Sequence, residues 1–320
     1  MRIFSFLSPT FMALASTCVV SVTALAQTPD TLPIVTWLPA RPDPGSIIQI
    51  FVHRARLGAD SLTGITGLLS GEPLHFDSTT RARLRALAGI PVDATDSVRA
   101  HVVIQRLSGI ADTLATVIPL RAQPPEPPGR PGEQLSVAPR FGREPDSALA
   151  ARMAREGQIA MQVSRRSHET PRLWRGYFAR PRPSRITSRF GGGREFNGQV
   201  RSRHSGVDFA GATGTPVRVT NRGVVALVAD FHLAGRAVYV DHGAGLVTAY
   251  FHLSKTNVVE GDTVVRGQII GRVGQSGRVT GPHLHWVARY GGVSVNALTL
   301  LEIDPPPPPK KKRPVKKAIR

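Results

Sequence analysis

Four histidines and one aspartate lie in short motifs whose residue types suit a metal ion. His204 and Asp208 form one pair, His283 and His285 form another, and His252 lies between the two pairs in the sequence. Imidazole and carboxylate groups together suit zinc, which proteins hold tetrahedrally at about 2.0–2.2 Å. Three protein ligands with one open position are typical of a catalytic zinc site, whereas structural zinc sites are closed.

The spacing within each pair determines which side chains share a face. Residues i and i+2 of a strand point to the same side, so His283 and His285 project together. His204 and Asp208, at i and i+4, share a face in a helix or in a strand, and Gly206 favours the extended segment. Either pair alone is more often structural. Their joint occurrence, with short glycine-bounded strands between them, favours one site.

Four linked motifs resemble the LytM/lysostaphin family of zinc endopeptidases, in order and spacing, from about residue 174 to residue 301. They are HSGVDF at 204–209, GTPV at 214–217, YFHLS at 250–254 and TGPHLH at 280–285.

The resemblance implies a function for each of the five residues. His204, Asp208 and His285 match the ligands of one zinc ion per chain, and no other cofactor is implied. His252 and His283 match the catalytic histidines. One of them would orient or deprotonate a water molecule, the other would donate to the developing oxyanion or leaving amine, and the sequence leaves open which does which. The implied substrate is the peptide part of peptidoglycan, and the implied fold for residues 172–302 is an antiparallel, barrel-like β domain.

The elements around the motifs are short strands. Apolar segments at 224–228, 237–240, 246–251, 269–273 and 285–288 alternate with glycine-rich turns and show no helical period. Packed small sheets bring such strand faces into one groove, which is how distant motifs meet. The GGG run at 191–193 lacks the ending of a phosphate-binding loop, so we interpret it as a mobile loop at the groove edge.

The preceding chain is predicted to be mainly β as well. Short strands in residues 32–122 predict an immunoglobulin-like β-sandwich, in which His53, His75 and His101 have no chemical function. A proline-rich linker at 123–134, with one further strand at 135–137, precedes a connecting helix at 145–167. Asp146 or Ser147 would cap that helix, and its predicted apolar stripe is Leu149, Met153, Ile159 and Val163. His168, His232 and His242 are left out of the predicted site, and His242 is assigned to a turn.

The first 26 residues have the pattern of an export signal. Arg2 is followed by an apolar run and by the residues ALA at 24–26. This pattern predicts cleavage after Ala26 and no transmembrane anchor in the processed chain. An uncleaved anchor is the alternative, which Pro9 disfavours. Cys18, the single cysteine, lies in this segment, so the processed chain must build any metal site from His and carboxylate.

The composition indicates anionic surroundings. The net charge is +19, and residues 303–320 form a predicted disordered proline and lysine tail. Contact of this tail with anionic wall or membrane polymers is the hypothesis, because an export signal argues against nucleic acid. The chain is therefore predicted to be a periplasmic or secreted endopeptidase. The alternative is a non-catalytic wall-binding regulator that activates another hydrolase, although such relatives typically lose metal ligands.

Overall fold

The computed structural model describes residues 33–57, 62–80, 82–123 and 132–304, so the predicted export signal, most of the linker and the tail lie outside the described residues. In this described part, no helix has the length and apolar character needed to cross a membrane. Three short 3-10 helices occupy Arg54–Arg56, Pro139–Phe141 and Ala297–Glu302.

The other elements are one α-helix, α1 (Ser147–Arg166), and the strands β1 (Val35–Leu38), β2 (Ile47–His53), β3 (Leu62–Leu69), β4 (Glu72–Pro73), β5 (Asp77–Thr80), β6 (Arg83–Gly89), β7 (Ser97–Arg106), β8 (Ala111–Pro119), β9 (Glu133–Leu135), β10 (Ile186–Ser188), β11 (Gly193–Phe196), β12 (Val200–Arg203), β13 (Val207–Ala210), β14 (Pro216–Arg218), β15 (Gly223–Phe231), β16 (Gly235–Gly243), β17 (Leu246–Thr256), β18 (Thr263–Val264), β19 (Ile269–Val273), β20 (His283–Tyr290) and β21 (Val293–Val295).

The first eight strands form a sandwich of two antiparallel sheets, with strand orders β1-β2-β6-β5 and β4-β3-β7-β8. Lettered along the chain from A, with β4 as C′, these orders become A-B-E-D and C′-C-F-G, the arrangement of an immunoglobulin-like fold. Alternate residues from both sheets, such as Ile50 and Val102, are fully buried in a common apolar core. The predicted immunoglobulin-like sandwich is therefore confirmed.

The second half is built on a ten-stranded antiparallel sheet. Its main path is β10-β13-β20-β17-β16-β15-β18, with β14, β19 and β21 attached at the sides. Within the described residues the two ends of this path, β10 and β18, do not pair, so the sheet is antiparallel as predicted but is not a closed barrel. The large side chains of Phe209, Tyr250 and Trp286 fill its core. Strand β16 extends to Gly243 and includes His242, so the prediction that His242 lies in a turn is wrong.

Helix α1 begins where the sequence predicts. The Asp146 side chain is the N-cap and accepts a hydrogen bond from the Leu149 amide at 2.8 Å. Ala160 packs on the ten-stranded sheet. It lies on the same helix face as Met153, because a separation of seven residues makes about two turns. Ile159 lies off this face and is 42% exposed, so its predicted place in the apolar stripe is wrong.

The strand predicted at 135–137 lies slightly earlier, at Glu133–Leu135. This strand, β9, pairs in parallel with β11, and β12 completes a small three-stranded sheet. Glu133 and Leu135 line a groove together with residues of the ten-stranded sheet. The end of the predicted linker and the residue after it therefore form part of the groove wall.

Candidate metal centre

Three polar side chains converge at one end of β13 and β20. His204 Nε2 lies 3.1 Å from Asp208 Oδ1 and 3.0 Å from His285 Nδ1, and Asp208 Oδ1 lies 2.7 Å from His285 Nδ1. All three residues are buried. The structure therefore brings together the three residues predicted as ligands, each with one nitrogen or oxygen atom toward a common point.

The tautomer of His204 shows what that point requires. Its Nδ1 lies 2.6 Å from the backbone oxygen of Arg189, and because a carbonyl only accepts, Nδ1 carries the hydrogen. A neutral His204 ring thus directs an unprotonated Nε2 at the Asp208 carboxylate. Two acceptors at this distance need a cation between them, and the N, N, O donor set suits zinc. The fixed Nδ1–H bond is also the support that metal-binding histidines usually have.

Strand register explains why Asp208 and His285 meet. They are directly opposite each other across the β13–β20 ladder, and Ala210 is opposite His283. The alternate residues Phe209 and Leu284 point to the other face and are fully buried in the apolar core. Period-2 alternation therefore places the polar atoms toward the groove and the apolar ones beneath.

His204 lies outside the strands, in the link between β12 and β13, so the prediction that it shares an extended segment with Asp208 is correct only for Asp208. Backbone hydrogen bonds from Gly191 N to His204 O and from His204 N to Gly192 O, both 2.8 Å, hold it in place. Gly206 allows the turn to close, because a Cβ there would come within 2.8 Å of the His285 ring. The glycine run at 191–193 thus positions His204, and its predicted mobility stays a prediction.

His252 reaches the groove through a local distortion of β17. The β16–β17 register shifts by one residue there, and His252 has a φ of 62°, a left-handed conformation that is uncommon for histidine. Its Nδ1–H donates to Ser276 O at 2.8 Å, just as His283 Nδ1–H donates to Gly281 O at 2.8 Å. In its neutral form each ring therefore presents an unprotonated Nε2, and the ring centroids lie 4.9 Å apart. His283 Nε2 is 3.7 Å from Asp208 Oδ1, farther than the three converging atoms.

Burial controls the charges of this cluster. It opposes ionisation of Asp208, but the interactions with the adjacent His204 and His285 outweigh it and hold the pKa of that carboxyl well below its usual range. Burial lowers the pKa of His285 to about 4, although the Asp208 charge opposes the shift. Burial, then the charges of His285 and His283, lower the pKa of His252 well below its ordinary value. Near neutral pH these groups are a carboxylate and two neutral imidazoles.

Comparison with known proteins identifies this part of the chain. The model of Peptidase family M23 matches residues 202–297, which include all five residues of the cluster. These residues form a peptidase family M23 domain. The match also explains the order of the four motifs.

Curated relatives match a part of the chain of similar length. This chain is 47% identical over 95 residues, 30% of this chain and 22% of the relative, to the peptidoglycan DD-endopeptidase ShyA of Vibrio cholerae. It is 43% identical over 97 residues, again 30% of this chain and 22% of the relative, to the DD-carboxypeptidase/endopeptidase Mpg of Neisseria meningitidis. The matched part thus spans about a fifth of these curated relatives.

A solved peptidase M23 structure from Pseudomonas aeruginosa matches more of the chain. It covers 82% of this chain and 95% of its own, at 26% identity and a TM-score of 0.61. The likeness extends beyond the M23 domain, since that domain alone is too short to give such coverage. The overall fold is therefore similar to that of this solved structure.

One charged residue at the M23 cluster has no counterpart in the sequence prediction. Arg194 Nη2 lies 2.6 Å from Asp208 Oδ2, the carboxylate oxygen that the histidines leave free, and Arg194 Nε lies 3.2 Å from Glu133 Oε2. The Arg194 side chain is only 13% exposed. The chain has 41 lysines and arginines, so no sequence signal distinguished this one.

Four further histidines lie outside the cluster. His242 is fully buried, with Nδ1 donating to Arg222 O at 2.8 Å and Nε2 at 2.8 Å from Thr248 Oγ1. His168 Nδ1 is 2.8 Å from His75 Nε2, where the sandwich meets the M23 domain. His232 packs on the Phe141 ring with centroids 4.9 Å apart. None of these four histidines lines the groove, and no sequence pattern indicated that His75 and His168 would meet.

Proposed function

We propose that this chain is an exported, zinc-dependent endopeptidase that hydrolyses peptide crosslinks of peptidoglycan. The observation that carries the proposal is the convergence of His204 Nε2, Asp208 Oδ1 and His285 Nδ1 within 3.1 Å of one another. In the proposal these residues hold one zinc ion per chain, while His252 and His283 are the catalytic residues. The matched family is one of peptidases, which supports this assignment.

The chemistry divides between the ion and the side chains. When bound, zinc supplies Lewis acidity and lowers the pKa of a coordinated water to about 7. His252 and His283 each keep Nδ1–H on a backbone carbonyl, so their Nε2 atoms are free to accept or return a proton. A neutral ring accepts a proton from the attacking water, and the resulting imidazolium donates to the oxyanion or leaving amine. The low pKa of His252 keeps it in the accepting form before substrate binds.

Two walls bound the groove. It has a volume of about 300 Å³, and the small three-stranded sheet forms one wall while residues 278–283 form the other. One matched relative is named a peptidoglycan DD-endopeptidase and another a DD-carboxypeptidase/endopeptidase. These names favour D-alanyl crosslinks over glycine bridges as the substrate. The crosslink type is part of the proposal.

Location and domain limits complete the proposal. The pattern of residues 1–26 supports export with cleavage after Ala26, and hence a periplasmic or secreted enzyme. The proposed limits are 32–122 for the sandwich, 123–134 for the linker, 145–167 for the helix, 172–302 for the peptidase domain and 303–320 for the tail. The basic tail would add contacts with anionic wall or membrane polymers.

Digestion of purified sacculi tests the proposal. The zinc-loaded protein is expected to release peptide-crosslink fragments that mass spectrometry identifies, and a chelator should stop the reaction until zinc is restored. Sacculi with D-alanyl crosslinks and sacculi with glycine bridges, digested in parallel, determine the bond. No fragments from either, together with stimulation of a second hydrolase, would instead support the non-catalytic regulator.

A further inference from the structure

Arg278 is a half-buried cation in the groove wall without an anionic partner. It precedes the TGPHLH motif and lines the groove and a second pocket, and His252 also lines both. Its guanidinium stacks on the Phe196 ring, 3.8 Å from the centroid, and Nη2 lies 3.4 Å from Ser202 Oγ. Among the described residues no carboxylate lies within ion-pair distance of it. These contacts orient the guanidinium but leave its charge uncompensated.

Its nearest charged neighbour makes this arrangement costly. Arg194 lines the same groove, and the Arg194 charge is already matched by Asp208 and Glu133. Burial, with the Arg194 charge as a second cause, lowers the pKa of Arg278 to about 10, so Arg278 remains cationic at neutral pH. A desolvated cation beside a second cation is unfavourable unless an anion joins them. The groove therefore has a deficit of negative charge at this position.

We propose that Arg278, beside Arg194, forms a subsite that binds a free carboxylate of the substrate peptide near the scissile bond. A planar guanidinium matches a carboxylate with two parallel hydrogen bonds, and burial strengthens such a pair. The contact between Arg194 and Asp208 places this subsite next to the proposed zinc ligands, within reach of one peptide. The inference rests on the proposed function and specifies the substrate class: crosslinked peptides with an ionised carboxylate close to the bond that is cut.

A purely structural use of Arg278 makes a different prediction. The stacking on Phe196 of β11 and the contact with Ser202 of β12 connect the small sheet to the loop before β20. If that were all, replacing Arg278 would weaken the fold and slow cleavage of every peptide equally. A subsite instead couples Arg278 to one chemical group on the substrate.

Matched peptides test this coupling. Two soluble crosslinked peptides would differ only in the carboxylate beside the scissile amide, which is free in one and a carboxamide in the other. The wild-type protein is expected to prefer the free acid in kcat/KM by about 10–100-fold, the usual size for a hydrogen-bonded ion pair. Arg278→Gln should abolish that preference, mainly through a higher KM for the acid, and Arg278→Lys should restore part of it.

Control measurements separate the possible outcomes. Arg272→Gln removes a charge from an exposed residue whose Nη1 bonds to Gly214 O at 2.8 Å, outside the groove lining, and should leave the preference unchanged. Zinc content and thermal unfolding of each variant show whether the fold and the metal site persist. Binding of the acid and amide cleavage products, measured by calorimetry, gives a readout that does not need turnover.

The results distinguish this inference from the proposed function. Equal cleavage of both peptides by the wild-type protein, or an unchanged preference in Arg278→Gln, would overturn the subsite but leave the endopeptidase standing. Cleavage of neither peptide would contradict the proposed function. In that case the calorimetric comparison of acid and amide binding to the wild-type protein and to Arg278→Gln still decides the subsite.

Discussion

Two buried groups in the M23 domain both combine histidine with aspartate, yet only one has the geometry of a metal site. In the first, His204, Asp208 and His285 each direct one nitrogen or oxygen atom at the other two. In the second, Asp241 accepts hydrogen bonds from Ser167 Oγ, Thr170 Oγ1 and Gly243 N. The adjacent His242 lies within hydrogen-bond distance of Arg222 O and Thr248 Oγ1.

The two groups differ in how many hydrogen-bond donors surround the buried carboxylate. Around Asp241 each carboxylate oxygen has donors, so the buried charge is satisfied within the protein and stabilises the fold. Around Asp208 three nitrogen and oxygen atoms meet within 3.1 Å of one another, and a neutral His285 ring has a single N–H to place among them. A cluster that lacks protons attracts a cation, whereas a saturated cluster does not.

Removing a converging ligand should have the largest effect. His285→Ala or His204→Ala leaves two protein ligands, so the variant should lose its zinc and its turnover should fall below the level of any other variant described here. His242→Ala, in the saturated cluster, should retain zinc in proportion to the folded protein. Metal analysis of the purified variants beside a turnover assay makes the comparison. A zinc-free His242→Ala variant that is still folded would contradict it.

Removing a catalytic histidine should separate turnover from metal binding. His252→Ala and His283→Ala should retain near-stoichiometric zinc, because neither ring supplies one of the three converging atoms. Turnover should still fall by about 10²–10⁴-fold through loss of proton transfer or oxyanion stabilisation.

The same metal analysis checks the assignment on β20. If His283→Ala came out zinc-free while His285→Ala kept its zinc, the two histidines of that strand would have been reversed. The 3.7 Å separation of His283 Nε2 from Asp208 Oδ1, against 2.7 Å for His285 Nδ1, argues for the present order.

The sequence predicted the five residues of the cluster because their spacing follows strand alternation and their motifs keep a family's order. Arg194 could not be predicted, since its contact with Asp208 depends on how the small sheet packs and one arginine among many carries no signal. The prediction for Ile159 is wrong because successive residues of a helix point about 100° apart, so Ile159 cannot share the buried face of its neighbour Ala160. Long-range packing accounts for the first failure, and the angular spacing of residues on a helix accounts for the second.

Acidification should reveal the saturated cluster through stability. Burial lowers the pKa of His242 to about 4 from an unfolded value near 6.5, so the unfolded chain binds its proton first. Stability is then fully present above pH 6.5 and falls as the pH drops toward 4, by about 2 kcal/mol at pH 5. Urea unfolding of metal-free wild-type protein and His242→Gln at pH 7 and pH 5 measures this. The variant should lose that part of the pH dependence, and identical pH slopes would show that His242 is already charged in the fold.

The smallest effect is expected where the sandwich meets the M23 domain. Glu72 Oε2 lies 2.8 Å from His168 Nε2, and Glu72 Oε1 accepts from Gly292 N at 2.9 Å. His75 completes the chain on the other side of His168, so this group is saturated like the one around Asp241. Glu72→Gln keeps the shape but removes the charge, and we expect a loss of about 1 kcal/mol in the free energy of unfolding, with zinc content and turnover of a short peptide unchanged. Glu169→Gln, at an exposed position just after His168, is the matched control and should change nothing. Loss of zinc in Glu72→Gln would contradict the division between saturated and converging clusters, because it would tie a fully bonded group to metal binding.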